Sequence, residues 1–480
     1  MTSSGTQMPG TPIAAAGGAP AAPAAKTLAA AAAAAASFAI AFAASPVTIV
    51  SALLAAALLL WAARDLTAPE RRWFLRLSGT AIALRFAVTA LLPLMALRSG
   101  APYAAWFGDG YYNIERSIWL RDIFLGIPLA PFDYFEAFHA VYGRTRYQFL
   151  LAFVHLLFGR SPFAAHLVSV VLYTGAVVVL FRLAKRAYGT APAMLALVPL
   201  WFMPSLFAWS VSAMKEAEMV CLGAAVLAAT LGLIRSRAWP ARLLSAAVLI
   251  IAMAALDGLR AGALPIVVGG LAAGLLLRAV TRRSWALLAV LAAAPAALWM
   301  APSVPGIAAR AGDLVRTAAH RHIGYVWTPG ETYRVLDEHF YNYDDVEEIR
   351  LAQPGAISRM THPEMLRFLV RSAISFFLVP EVWKPSGERI RWLFPQQVVW
   401  YAALLLAVPG ALAGWRRDPL VTSLLLGSIA AGAAIIAPNS GNVATLIRHR
   451  DMVSPFVFVL AAVGACRAVR AVARRGPAWR

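Results

Sequence analysis

Apolar residues gather along this chain in a dozen stretches, near 28–44, 46–63, 74–97, 163–183, 191–211, 213–234, 242–256, 261–279, 285–301, 396–414, 419–437 and 452–467. Most approach the roughly 20 residues that an α-helix needs to cross a bilayer. The pattern predicts an all-α polytopic membrane protein with about 10–12 transmembrane helices. The first pair, within 27–64, is Ala-rich and broken by Ser45-Pro46. It reads equally as a hairpin of two spans or as one span plus an amphipathic piece. The segment 149–158 is apolar but too short to span, and predicts an interfacial or re-entrant helix. Between the spans ending near 301 and starting near 396, aromatics mix with acids at Tyr325, Trp327, Tyr333, Tyr341, Tyr343, Asp344 and Asp345. This 302–395 segment predicts a small helical cap on the membrane surface. Residues 1–26 are Gly, Ala, Pro, Ser and Thr without periodicity, and read as a disordered tail. They lack a charged leading region, so no removable signal peptide is expected.

Composition sharpens the class. Of 480 residues, 60% are hydrophobic and 14% charged, more apolar surface than a soluble fold of this size could hide. The net charge of +20 is then no sign of nucleic-acid binding. Basic residues collect in the cytoplasmic loops of membrane proteins, because translocating them is unfavourable. Cys221 and Cys466 fall in different apolar spans, which argues against a disulfide framework.

Sorting the loops by charge gives a topology. Basic clusters occur at Arg71-Arg72 with Arg76, Lys185-Arg186, Arg235 with Arg237, Arg278 with Arg282-Arg283, Arg416-Arg417, and the tail beyond Arg467, including 471–480. They alternate with loops that carry most of the acids. The positive-inside rule puts these clusters and both termini in the cytoplasm, and the Ala- and Arg-rich composition suggests a bacterial inner membrane. The external face then receives the 98–162 loop, the turns at Lys215-Glu216 and 257–260, the cap, and 438–451.

Ionisable residues on that face are the chemical candidates. Asp109 lies in Trp106-Phe107-Gly108-Asp109-Gly110-Tyr111-Tyr112, read as a loop folding back onto the membrane beyond the first core helix of 74–301. It is a candidate general base, or else a turn-capping carboxylate. Lys215 and Glu216 begin an apolar helix where charge is costly, as a substrate site or a mutual ion pair. Arg260 either serves the site or pairs locally with Asp257. Arg448 and Arg450, two apart before the last span of 396–470, could clamp a phosphate between them or anchor to lipid headgroups. The histidines, including His320 and His322, show no metal-ligand spacing, so no metal site is assigned and a divalent cofactor lacks support from spacing. There is no phosphate-binding glycine loop, dinucleotide fingerprint or nucleophile elbow.

Several of these features together resemble a known family. A spanning helix is followed by the external Asp109 loop, an amphipathic stretch ending in Leu157-Phe158-Gly159, and then Ala164-Ala165-His166-Leu167-Val168-Ser169. A basic-ended helix closing with Tyr188-Gly189 and a helix containing Pro204 come next. Over about 74–235 this order resembles the GT-C superfamily of polyprenyl-phosphate-sugar-dependent glycosyltransferases, such as protein O-mannosyltransferases and aminoarabinose transferases. The stretch from Gly441-Asn442 to Thr445-Leu446-Ile447-Arg448-His449-Arg450 is similar to uncharacterised membrane proteins of bacterial polysaccharide clusters. The resemblance implies an acidic residue of the first external loop as catalytic base or metal ligand, which by position is Asp109. Many members carry Asp-Glu there, where this chain has Asp109-Gly110, and an acid opening the fourth helix, where it has Lys215-Glu216.

The expectation is an inverting GT-C-like glycosyltransferase. It would move a sugar from a polyprenyl-phosphate donor to an envelope glycan, lipid or protein acceptor on the periplasmic face. A polysaccharide polymerase or ligase shares the lipid-linked donor. A flippase or non-catalytic export component belongs to a different class, and a transporter would show ionisable residues at the midplane and paired broken helices.

Overall fold

A computed structural model of the chain describes residues 22–99, 108–138, 145–161, 163–260, 262–282, 305–328, 331–342, 355–383 and 393–475. The apolar stretch 285–301, Trp106, Phe107, Tyr343, Asp344, Asp345 and the end of the basic tail lie outside the described residues. The first helices are α1 (Ala22–Ala44), α2 (Pro46–Ala62) and α3 (Ala68–Ser99). Three shorter ones follow: α4 (Gly108–Phe124), α5 (Pro131–Phe138) and α6 (Arg146–Phe158). The central bundle contains α7 (Ala164–Tyr188), α8 (Thr190–Phe202), α9 (Pro204–Ser210), α10 (Glu216–Arg235), α11 (Trp239–Leu259) and α12 (Ala263–Arg282). Two helices, α13 (Pro305–Val326) and α14 (His362–Leu378), belong to the cap segment. The chain closes with α15 (Phe394–Arg417), α16 (Pro419–Ile436), the short α17 (Val443–Arg450) and α18 (Ser454–Arg475).

Among the described residues nine helices are long and apolar enough to cross a membrane: α1 from Thr27, α3, α7, α10, α11, α12, α15, α16 and α18. The chain is an all-helical, multi-pass membrane protein. Two sequence expectations change in detail. Residues 22–26, read as tail, already belong to α1, in keeping with the high helix propensity of alanine. The stretch 191–211, read as one span, is two helices bent by 67°.

Pro204 explains the bend. It has no N–H to offer the Leu200 carbonyl and cannot continue the α8 ladder. The freed groups find other partners. Tyr173 Oη donates to the Leu200 carbonyl, Arg85 Nη2 donates to the Trp201 carbonyl at 2.9 Å, and the Ser205 N–H donates to Gln396 Oε1 at 3.0 Å. Arg85, in the middle of α3, is fully buried and also bonds Ser210 Oγ (2.8 Å) and the Ala81 carbonyl (3.0 Å). Its guanidinium lies 4.7–5.2 Å from the ring centres of Phe207, Trp201 and Tyr173. A mid-helix arginine is expensive in a membrane. Here backbone carbonyls exposed by the break and three aromatic faces solvate it.

Glycines set the closest crossings. A Cβ at Gly410 of α15 would fall 1.9 Å from the Leu460 carbonyl of α18, and one at Gly464 would fall 1.9 Å from that of Leu406. On α16, a Cβ at Gly427 would fall 2.4 Å from the Gly270 carbonyl of α12. Between helices in lipid, backbone proximity of this kind replaces the missing hydrophobic drive.

The cap has its own core, with Ala319, Ile323, Phe340, Ile357, Met365 and Phe368 packed together apart from the main cluster. Glu364 closes the start of α14 by accepting from the Thr361 N–H at 2.7 Å. The cap is pinned to the segment before α17. Tyr333 N–H donates to the Gly441 carbonyl (3.1 Å) and Val443 N–H to the Glu331 carbonyl (2.9 Å). Buried His322 meets the Ser440 carbonyl at 2.6 Å through Nδ1 and Tyr341 Oη at 3.0 Å through Nε2. Only Gly fits at 441, because a Cβ there would sit 2.3 Å from the His322 carbonyl.

Candidate functional site

Four separate parts of the sequence meet at one end of the bundle: the start of α4, the turn into α10, the turn between α11 and α12, and α17. Asn113 Nδ2 donates to the Ala213 carbonyl at 2.9 Å, which ties α4 to the 211–215 turn. His166 of α7 holds the same turn through the Val211 carbonyl at 3.0 Å. At the far end of α4, Asp122 is buried and ion-paired with Arg121 (2.7 Å) and Arg160. Asn442 caps α17 by accepting from the N–H groups of Ala444 (2.9 Å) and Thr445 (3.3 Å).

These elements enclose a cavity of about 160 Å³ lined by Asp109, Tyr112, Asn113, Met214, Lys215, Glu216, Arg260 and Arg448. Five of the six site residues proposed from sequence therefore share one cavity. Asp109 is not on a loop: it occupies the first turn of α4. A loop gives no reason to set Tyr112 and Asn113 beside Asp109, and the sequence did not single them out. Helical spacing of i, i+3 and i+4 puts all three on one face.

The lining charges form a chain. Arg448 Nη1 meets Asp109 Oδ2 at 2.5 Å, and its Nε lies 3.3 Å from Glu216 Oε1. Arg260 Nη1 lies 3.2 Å from the same Glu216 oxygen, and Arg260 Nη2 contacts His449 Nε2. Arg260 thus pairs across helices with Glu216, and not locally with the exposed Asp257. Glu216 is only 4% exposed, and its Oε2 is buried with no hydrogen bond among the described residues. A guanidinium can only donate, so His449 Nε2 accepts from Arg260, leaving the ring proton on Nδ1, 3.4 Å from Ser440 Oγ. Burial, then Arg260 and Arg448, push the His449 pKa well below its usual range, so the ring is neutral. Tyr325 of the cap meets the His449 ring edge-to-face at 6.4 Å.

Protonation follows from these neighbours. Burial first, and then Arg260, bring Lys215 down to about 8, against the opposing pull of Glu216 and Asp109. For Arg448, burial works against the charge, but Glu216 and Asp109 outweigh it and raise its pKa. Three cationic side chains face two carboxylates across the cavity, a balance suited to one added anion.

Arg450 is the exception among the sequence candidates. It is buried behind α17, with Nη1 on the Val379 carbonyl (2.9 Å), Nη2 on Gln397 Oε1 (2.9 Å) and its guanidinium 4.6 Å from the Trp400 ring centre. A clamp formed with Arg448 needs both side chains on one face. The segment is helical, and residues two apart on a helix point to nearly opposite faces. The neighbouring Asp451 accepts from Trp209 Nε1 and Ser454 Oγ, both at 3.0 Å, and burial raises its pKa to about 6. Among the described residues no three His, Cys, Asp or Glu side chains converge in a way that could hold a metal ion.

No protein-family model, no curated protein and no solved structure matches this chain.

Proposed function

We propose that this protein is a GT-C-like, inverting membrane glycosyltransferase. It moves a sugar from a polyprenyl-phosphate carrier to an envelope glycan, lipid or protein on the external, periplasmic face of the inner membrane. The observation that carries the reading is the convergence of Asp109, Lys215, Glu216, Arg260 and Arg448 in one cavity, from four distant parts of the chain.

The chemistry maps onto these groups. Asp109 takes the proton of the acceptor hydroxyl, whose oxygen attacks the anomeric carbon from the face opposite the phosphate. The carbon–oxygen bond to phosphate breaks, and the electron pair leaves with the phosphate. Arg448, Arg260 and Lys215 stabilise that charge. At about 160 Å³ the cavity is smaller than the roughly 300 Å³ or more of typical ligand sites. Donor entry therefore has to part the Asp109–Arg448 pair. A phosphate would take the guanidinium and free the carboxylate in the same step, so the base is released only when donor is present.

The test is sugar transfer from a labelled polyprenyl-phosphate donor by the purified protein in liposomes. Asp109→Asn should insert and fold normally while transfer drops about 100-fold or more. Near-normal turnover in that variant would remove Asp109 from the chemistry. A flippase reading has one observation in its favour, the broken α8–α9 span with Arg85 at its break. It predicts lipid-linked sugar crossing liposomes without any transfer, and loss of that movement in Arg85→Leu.

A further inference from the structure

A second feature, unrelated to the cavity at Asp109, runs along α8, α15 and α18 from the middle of the bundle to its basic end. Helices α8, α15 and α18 leave a lateral groove of about 410 Å³ whose lining is entirely apolar, including Leu195, Val198, Phe202, Leu406, Ala461 and Ala465. It opens toward the lipid, for Leu195, Val198 and Phe202 are all exposed. Along the same three helices, a cavity of about 280 Å³ adjoins its end, lined by Pro192 of α8, Ala413 and Arg417 of α15, and Val463, Cys466, Arg467 and Arg470 of α18. Pro192 stands one turn from Leu195, and Cys466 directly follows Ala465, so slot and mouth are neighbours along α8 and α18.

Three arginines line the mouth and no acid does. Arg417 donates to the Tyr188 carbonyl, which fixes its position without neutralising it. Arg467 and Arg470 are exposed and make no ion pair among the described residues. The nearby carboxylate of Asp418 is already bonded to Arg235 at 2.5 Å. At 1.5 Å per residue, Arg467 at the mouth stands about 14 Å along α18 from Phe458 at the far end of the slot. That is the depth of one leaflet of a hydrocarbon core roughly 30 Å thick.

We infer that this groove holds an anionic membrane phospholipid, its acyl chain in the α8–α15–α18 slot and its phosphate at Arg417, Arg467 and Arg470. An apolar slot of leaflet depth under an unneutralised cationic mouth fits an amphiphile whose head carries net negative charge. A zwitterionic lipid, whose head brings its own ammonium to three guanidiniums, fits worse. The inference does not depend on the transferase reading.

The experiment is native mass spectrometry and thermal melting of the full chain in nanodiscs of phosphatidylglycerol or phosphatidylcholine. Phosphatidylglycerol should be retained at a single saturable site, raise the melting temperature, and weaken as salt rises. The variant Arg467→Gln/Arg470→Gln should lower retention about 25-fold, at about 5-fold per arginine. The slot-filling variant Ala461→Phe should lower it while leaving the three arginines in place. Unchanged retention in both variants means ordinary annular lipid and overturns the proposal. Loss in the arginine variant alone, with inorganic phosphate competing as well as phosphatidylglycerol, also overturns it, because the site would then be a simple anion site. Both variants should keep wild-type elution profiles and helical content, so that a loss reads as binding.

Discussion

The two ends of the bundle use the same residue types to opposite effect. At the end bearing the basic loop clusters, charged side chains pair singly at the surface. Arg235 meets Asp418 at 2.5 Å while 42% exposed, and Arg182 meets Asp65 at 3.5 Å with that aspartate 69% exposed. Water and salt screen such contacts, and each contributes about 1 kcal/mol or less. At the other end, Asp109, Arg448, Glu216, Arg260 and His449 run in one connected line, with the Glu216 side chain only 5% exposed. A group removed from the first end is replaced by water. A group removed from the second strands a buried partner.

The broadest way to break the comparison is to ask which side each end faces. With Cys221 and Cys466 replaced by serine, Thr328→Cys in the cap should react with an impermeant thiol reagent in intact cells. Ala238→Cys, between α10 and α11, should react only after lysis. The reverse pattern would invert the topology and take the proposed site away from the external face. Next in size is the cost of losing one partner. Arg448→Ala, which leaves buried Glu216 and Asp109 short of a cation, should destabilise the protein by about 3 kcal/mol or more, read by chemical unfolding in detergent. The same substitution at Arg235 should cost about 1 kcal/mol or less. Equal costs would show that the two ends do not differ in kind.

A smaller effect sharpens the picture of the cavity. Lys215 is brought to about 8 by burial and Arg260, so it is charged below that pH and neutral above it. Affinity for a short-chain polyprenyl phosphate should therefore fall about 10-fold as pH rises through 8, the scale of one charged hydrogen bond. Lys215→Arg should carry the affinity unchanged past pH 9. A flat profile in the wild type would place Lys215 away from the anion.

Much of the bundle was legible because apolar length is a one-dimensional property. The runs at 242–256 and 419–437 fall within a spanning helix, and those at 74–97 and 163–183 overlap one over most of their length. The cavity was partly legible for a similar reason. Positive charge against the inward bias marks helix ends on one face, and Lys215, Arg260 and Arg448 carry that mark, with Glu216 beside the first of them. What escaped depends on direction around a helix axis. Asp109 looked like a loop residue because Gly110 follows it, which hid Asn113 one turn on. Arg448 and Arg450 looked like a pair because they are close in sequence, although the helix turns them apart. Arg85 was hidden inside the apolar run 74–97, where one arginine hardly lowers the mean. Its purpose appears only once Pro204 has opened α8 beside it.

Helix α17 sits between the cavity and the cap like a part held at two points. It is eight residues long and gripped on both sides, by Asp109 and Glu216 through Arg448, and by the Phe376 and Val379 carbonyls at the foot of α14 through Arg450. Were so short a helix to turn, it would turn as one rigid piece. Any roll that withdraws Arg448 from Asp109 swings Arg450 through the same angle against its carbonyl seat. The opening of the cavity and the seating of the cap therefore share a single rotational coordinate.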